Sequence, residues 1–190
     1  MSSESTPEGE LVEFYTRASA FFGEQLIAIG DEEWDLPTPS EWNVKALVAH
    51  VVVAEAQIPD VIDGRPYGAS DVDITILGPD PVSVWRGTAV NALTAVAAAD
   101  MDTEVDHPFG QIPLHRLVGF RITENLVHGW DLARTRGLDP DLPDDLAAFC
   151  LDFWMPLASN LSDSGVFAPM VDPRDESSTS RLVALLGRQR

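Results

Sequence analysis

The 190-residue sequence carries 31 acidic and 12 basic side chains, which gives a formal net charge of −19 with neutral histidines. This balance argues against nucleic-acid or anionic-membrane binding, because contacts to phosphate depend on lysine and arginine. With 45% hydrophobic residues, the chain can bury one sizeable core, so a single domain is expected.

Cysteine content and the N-terminus bear on the compartment. The one cysteine, Cys150, cannot form an internal disulfide, and Met1–Glu10 does not have the pattern of a signal peptide. No apolar run approaches the roughly 20 residues that a membrane span needs. These features predict a soluble, cytoplasmic protein without a nucleic-acid or membrane partner.

The first half of the sequence predicts a flexible start and two helices. Residues 1–10 are polar and are expected to be flexible, so the single domain covers residues 11–190. Apolar residues at helical spacing predict a first helix from Leu11 that ends at Gly30. A second helix is predicted over Glu41–Asp63, with Ser40 as its N-cap.

The middle of the chain predicts a loop followed by a third helix. Glycines, prolines and acids over 64–80 predict a surface loop, with a short extended piece at Ile74–Leu77. Asp80 is placed to cap a helix over Pro81–Ala99, because proline is favoured at the first helical position. A small hairpin is then predicted from Thr103–Val105 and Gln111–Ile112.

The remaining segments complete an all-α prediction. A fourth helix is expected over Leu114–Arg136 and ends at Gly137. A fifth is expected over Asp144–Ser159 and is interrupted or ended near Pro156. A short terminal helix is expected over Ser178–Leu186. Four long helices joined by modest loops predict a four-helix bundle with an additional C-terminal helix and a short tail. Bundles of this kind commonly carry sites built from side chains on facing helices.

Three polar residues lie on helices that should face a core. His50 lies in the apolar run Ala46–Ala54, and Glu124 and His128 are four residues apart, on one face of the fourth helix. Taken singly, His50 fits a hydrogen-bonded core histidine, and Glu124 with His128 fits a surface pair. Together, two imidazoles and a carboxylate form a ligand set for Zn²⁺ or another first-row divalent ion, with positions left open for water or substrate.

Arg121 and Asp131 lie on the same face of the predicted fourth helix as Glu124 and His128. Asp131 could orient His128 through its second ring nitrogen. Arg121 could hold a substrate carboxylate or neutralise Glu124, and surface ion pairs remain an alternative for both residues.

Other side chains have weaker claims to a site. His107 and His115 lie outside apolar faces, and His115 ranks slightly ahead because a loop at the mouth of a bundle can fold over a site. Cys150 is expected to be buried and inert. Trp42 and Trp130 are candidates for the walls of a pocket.

The most distinctive segments are WNVKALVAHVV at Trp42–Val52, ENLVHGWDLARTRG at Glu124–Gly137 and RLVALLGR at Arg181–Arg188. They resemble the actinobacterial branch of the DinB/YfiT-like metalloenzymes, which includes the N-terminal domain of mycothiol-dependent maleylpyruvate isomerase. The resemblance runs from Leu11 onward, and HGWDLA is its most specific element.

The resemblance implies an up-down four-helix bundle with a divalent metal, usually zinc or nickel, at one end. Its motif-matching ligands fall on His50, Glu124 and His128. It also implies a possible homodimer and mycothiol as a thiol cosubstrate. The isomerase has a second domain that contributes to its active site, whereas this sequence continues only with a fifth helix and a short tail, so the isomerase reaction does not transfer directly.

Three functions are open at this point. The first is a metal-dependent enzyme that activates a low-molecular-weight thiol of the mycothiol type for S-transfer or isomerisation of an unknown electrophile. The second is a non-catalytic metal- or small-ligand-binding bundle with a regulatory or stress role. The third, a metal-free helical scaffold, requires that His50 face away from Glu124.

Overall fold

The computed structural model describes residues 7–68, 72–108, 110–157 and 168–190. Its helices are α1 (Pro7–Ile27), α2 (Val44–Ile62), α3 (Pro81–Ala98), α4 (Leu114–Thr135), α5 (Asp144–Trp154) and α6 (Ser178–Leu185). A two-stranded antiparallel hairpin, β1 (Glu104–His107) and β2 (Gly110–Pro113), precedes α4. Short 3-10 turns lie at Ile74–Leu77 and Met155–Leu157.

The first four helices form the predicted bundle. Helix α1 packs against α3 and α4, and α2 packs against the same two helices. Helix α4 is buried along most of its length, whereas α5 and α6 pack mainly against each other beside it. None of the described helices is both long and apolar enough to cross a bilayer. The arrangement places α2 and α4, which carry the predicted ligands, side by side.

Several predicted boundaries are confirmed. Asp80 caps α3, and its side chain accepts a hydrogen bond from the backbone N–H of Ser83 at 3.0 Å. The hairpin pairs Val105 with Ile112, within the strands that were expected. Gly137 follows α4 with φ of 76°, the left-handed conformation that ends many helices.

The predicted N-cap of α2 is wrong. Asn43, not Ser40, caps the helix, because its side-chain oxygen accepts from the backbone N–H of Ala46 at 2.9 Å. Ser40 instead accepts from the backbone N–H of Trp42 at 3.2 Å, within a turn that precedes the helix. Residues 41–43 are therefore not helical, and the turn fixes Trp42 directly before α2.

Two other expectations need correction. The Ile74–Leu77 segment is a 3-10 turn rather than an extended piece, because the Asp73 side chain accepts from the backbone N–H of Thr75 at 2.9 Å and caps it. Helix α1 begins at Pro7 rather than at Leu11. The rest of the predicted flexible start, residues 1–6, lies outside the described residues.

The fifth helix is shorter than its predicted span. Helix α5 ends at Trp154 and continues as the 3-10 turn that contains Pro156, as the proline indicated. The predicted final residues of this helix, 158–159, lie outside the described part of the chain. Helix α6 agrees with the prediction to within one residue.

We expect Gly23→Ala to destabilise the protein by about 1–3 kcal/mol, the usual cost of overpacking. Gly23 is buried in α1, and a Cβ there would lie 2.2 Å from the ring of Trp85 on α3. The matched control is Gly87→Ala, since Gly87 is an exposed helical glycine at which an added Cβ would meet open space. The control should stabilise by about 0.5–1 kcal/mol. Urea unfolding measures both, and equal effects would contradict the close α1–α3 packing.

Candidate metal centre

The three predicted ligands come together between α2 and α4. His50, Glu124 and His128 each offer one ligand atom, and these atoms all lie within 4.8 Å of one another. The Nε2 atom of His50 lies 3.2 Å from a carboxylate oxygen of Glu124. His50 therefore faces Glu124, and the metal-free scaffold loses the orientation on which it depended.

The side chains of the cluster are largely buried but keep some solvent exposure. The side chain of His128 is 5% exposed, whereas those of His50 and Glu124 are 13% and 21% exposed. The helical spacing explains the geometry, because residues four apart on α4 lie one above the other and face α2. The cluster thus lies mostly inside the bundle, and its remaining solvent exposure is largest at Glu124.

Asp131 holds His128 as predicted. The carboxylate of Asp131 lies 3.0 Å from Nδ1 of His128, which leaves Nε2 of the imidazole as the ligand atom. Burial lowers the pKa of His128 even though Asp131 acts to raise it. A neutral imidazole is the form that binds a metal, so the site presents His128 in a competent state near neutral pH.

Arg121 is buried and pairs with Glu124. Its guanidinium is 1% exposed and donates hydrogen bonds to both Glu124 and Glu55. Burial would raise the pKa of Glu124, but the charge of Arg121 and the hydrogen bond from His50 hold that pKa well below its usual range. Glu124 is consequently an anionic ligand at neutral pH, and of the two roles considered for Arg121 the structure favours neutralisation.

Glu55 is a buried acid that the sequence interpretation missed. It is fully buried on α2, and its carboxylate accepts hydrogen bonds from Arg121, from the hydroxyl of Tyr15 and from the amide of Asn125 at 2.5 Å. Charged residues are almost never fully buried unless they are paired. Its place in the apolar run after His50 was the available signal, because an isolated acid there needs a buried cation.

Arg188 is the second residue that the sequence interpretation missed. Its guanidinium donates to both carboxylate oxygens of Asp131, at 3.3 Å from Nε and 3.0 Å from Nη2. Burial would raise the pKa of Asp131, but Arg188 and His128 hold it below its usual range. Asp131 therefore lies between a cation and a ligand histidine.

Of the two tryptophans, one lies at the site. The ring of Trp42 stacks on His50 with centroids 4.4 Å apart and contacts His128 at 5.9 Å. The Nδ1 atom of His50 is buried with no hydrogen-bond partner in the described part of the chain, so the ring is oriented by its stacking on Trp42 and by the contact of Nε2 with Glu124. Trp130 points away into the core, where Arg134 lies over its ring at 5.4 Å.

The two remaining histidines, His107 and His115, are not part of the ligand cluster found among the described residues. His107 on β1 stacks between Tyr67 and Phe120, at 5.1 Å and 5.5 Å, and interacts electrostatically with Glu124. His115 instead lies 3.3 Å from the carbonyl oxygen of Met101, with its side chain 46% exposed. The hairpin accounts for this difference, because it lays His107 against the α4 residue one turn before Glu124.

Cys150 is buried, as expected. Burial raises the pKa of its thiol to about 12. A thiol with this pKa is almost entirely protonated at neutral pH, and the thiolate is the nucleophilic form. Cys150 therefore has a packing role.

The donor set fits a divalent metal. Two imidazole nitrogens and one carboxylate oxygen are ligands that zinc and other first-row ions accept, and three protein ligands leave positions open. The 3.2 Å between His50 and Glu124 is near the ~3.4 Å that separates two ligand atoms of a tetrahedral ion with bonds of about 2.1 Å. The three donors thus match a metal site with open coordination positions rather than a closed four-ligand site.

Comparisons with known proteins agree with the fold. The family model described as the mycothiol maleylpyruvate isomerase N-terminal domain matches residues 15–133. This range contains all three candidate ligands and ends at residue 133, two residues after Asp131.

A curated relative covers nearly the whole chain. An uncharacterized protein of Mycobacterium tuberculosis, found in two strains, is 30% identical over 180 residues, which is 92% of this chain and 95% of the relative.

Two solved structures share the architecture. The crystal structure of the mycothiol-dependent maleylpyruvate isomerase is 18% identical, and a histidine-to-alanine mutant of it is 16% identical. Each matches with a TM-score of 0.66 over 83% of this chain and 70% of the solved chain. At these identities the likeness shows the fold alone.

Proposed function

Because the chain belongs to the mycothiol maleylpyruvate isomerase N-terminal domain family, we propose that it is a metal-dependent enzyme that activates a low-molecular-weight thiol. The thiol is of the mycothiol type, and the reaction is S-transfer to an electrophile or isomerisation. Zinc or nickel is the proposed metal. The family name supplies the thiol class, and the ligand cluster supplies the chemistry.

The observation that carries the proposal is the convergence of His50, Glu124 and His128 within 4.8 Å at a partly exposed site. A divalent ion bound there would lower the pKa of a thiol placed beside it, so that the nucleophilic thiolate is available near neutral pH. The ligands are prepared for this role, since Glu124 is ionised and His128 is neutral.

The protein side chains set the conditions around the reacting thiol. Trp42 covers one side of the two histidines with an apolar surface and limits the access of water. Arg121 donates a hydrogen bond to Glu124 and another to Glu55. Because Glu55 holds Arg121, the position of the Glu124 carboxylate is fixed. His107, Tyr67 and Phe120 form an aromatic face near Glu124 that a substrate can contact.

The test uses the protein loaded with Co²⁺, whose visible spectrum reports its ligands. Addition of mycothiol should give a new thiolate-to-cobalt absorption band. When an electrophile is then supplied, the protein should either consume the thiol by S-transfer or isomerise the electrophile with the thiol regenerated. The matched control is the disulfide form of the same thiol, which has no thiol to ionise and should leave the spectrum unchanged.

The rival function is a non-catalytic metal- or small-ligand-binding bundle. A loaded protein whose spectrum does not respond to the thiol, and which neither consumes thiol with nor isomerises any electrophile tested, would contradict the enzyme and favour this rival. A spectral response with neither thiol consumption nor isomerisation would support a thiol-binding site and contradict catalysis.

A further inference from the structure

We propose that Arg188 is a positioning residue of the metal centre, which orients the ligand His128 through Asp131. The inference rests on the proposed metal site. It extends that site beyond the part of the chain that the family model matches, because the match ends at residue 133.

The contacts form a continuous chain from the C-terminal segment to the ligand. Arg188 donates from Nε and Nη2 to the two different oxygens of Asp131, a paired geometry that fixes the plane of the carboxylate. One of these oxygens also accepts from Nδ1 of His128 at 3.0 Å. The plane of the carboxylate in turn fixes the plane of the imidazole and directs Nε2 towards Glu124 and His50.

The relay is buried, which makes its geometry specific. Asp131 is 0% exposed and Arg188 is 6% exposed, so water competes little for these hydrogen bonds. The third guanidinium nitrogen of Arg188, Nη1, donates to the carbonyl oxygen of Leu186 at 2.8 Å. Truncation of Arg188 would leave a buried carboxylate with His128 as its remaining side-chain donor among the described residues.

The backbone next to Arg188 has a conformation that directs the Arg188 side chain towards Asp131 on α4. Gly187 has φ of 81°, and a Cβ at this position would lie 2.6 Å from the carbonyl oxygen of Ala168. The backbone N–H of Arg188 donates to the carbonyl oxygen of Val183 at 2.8 Å. The chain therefore reverses sharply after α6 and returns Arg188 to α4.

Arg190 anchors the same tail without touching the relay. It donates to Asp139 at 2.9 Å and to Asp141 at 2.6 Å, and its side chain is as buried as that of Arg188. The two arginines thus differ in one respect that matters here, because only Arg188 contacts Asp131 in the described hydrogen bonds. This difference provides a matched control.

The test compares Zn²⁺ affinity in wild type, Arg188→Met, Arg188→Lys and Arg190→Met, by competition with a chromophoric chelator. We expect Arg188→Met to weaken binding about 10- to 100-fold, the usual loss for a partner that orients a ligand. Arg188→Lys should recover part of the affinity, and Arg190→Met should stay close to wild type. The cobalt spectrum should change most in Arg188→Met and should stay unchanged in Arg190→Met.

Equal affinity in Arg188→Met and wild type, or equal losses in Arg188→Met and Arg190→Met, would overturn the inference. If the wild type binds no Zn²⁺, the proposed function fails instead. Should Arg188→Met not fold, nitrogen NMR of the metal-free wild type decides the matter. The relay requires the proton of His128 on Nδ1, and a proton on Nε2 would contradict it.

Discussion

Arg121→Met is expected to destabilise the metal-free protein by about 3–5 kcal/mol, the cost of leaving a buried charge without its partner. Arg121 is 1% exposed and bridges two carboxylates, Glu55 and Glu124, of which Glu55 is fully buried. Methionine keeps much of the volume but removes every donor, so both acids lose their cation. The midpoint of urea unfolding measures the change.

Arg17→Met is the surface control for this substitution. Arg17 pairs with Asp145 at 2.6 Å, but the two side chains are 37% and 52% exposed, and surface pairs of this kind contribute about 0–1 kcal/mol. The double variant Glu55→Gln with Arg121→Met should recover part of the lost stability, because it removes one of the unpaired charges. Similar losses for Arg121→Met and Arg17→Met would show that the buried network does not carry the expected energy.

His128→Ala should weaken Zn²⁺ binding by more than about 100-fold, because it removes one of three protein donors. This loss exceeds the about 10- to 100-fold that is typical when a residue that only orients a ligand is removed. The effect follows from the position of His128, whose Nε2 is the free ring nitrogen once Asp131 holds Nδ1. Chelator competition gives the dissociation constant, and mass spectrometry of the native protein gives the metal content.

His115→Ala is the matched control, since it removes an imidazole that lies beside Met101 and outside the ligand cluster. Its metal content and affinity should equal those of the wild type. If His115→Ala and His128→Ala bind metal equally well, the site assignment is wrong. Unfolding curves of both variants separate a loss of ligand from a loss of fold.

The sequence was sufficient for the features that depend on local spacing. Glu124 and His128 are one helical turn apart, so their common face could be predicted without a structure. The capping of α3 by Asp80 was equally local, as was the role of Asp131, three residues from His128. The bundle itself follows from four long helical segments joined by modest loops.

The remaining parts of the site depend on contacts between distant segments. Glu55 and Arg121 are 66 residues apart, and Asp131 and Arg188 are 57 apart. The hydrophobic periodicity of the sequence does not indicate which buried acid will pair with which arginine. The error at Ser40 has a different cause, because serine and asparagine are comparable caps and the turn around Trp42 decided between them.

The central claim is that His50, Glu124 and His128 hold one divalent ion. Anomalous diffraction at the zinc edge, on crystals of the Zn²⁺-loaded protein, tests it most directly. We expect a single strong peak within bonding distance of one nitrogen of each histidine and of a Glu124 oxygen, with at least one coordination position open to solvent or thiol. A peak elsewhere, or a saturated protein with no peak among these three side chains, would contradict it.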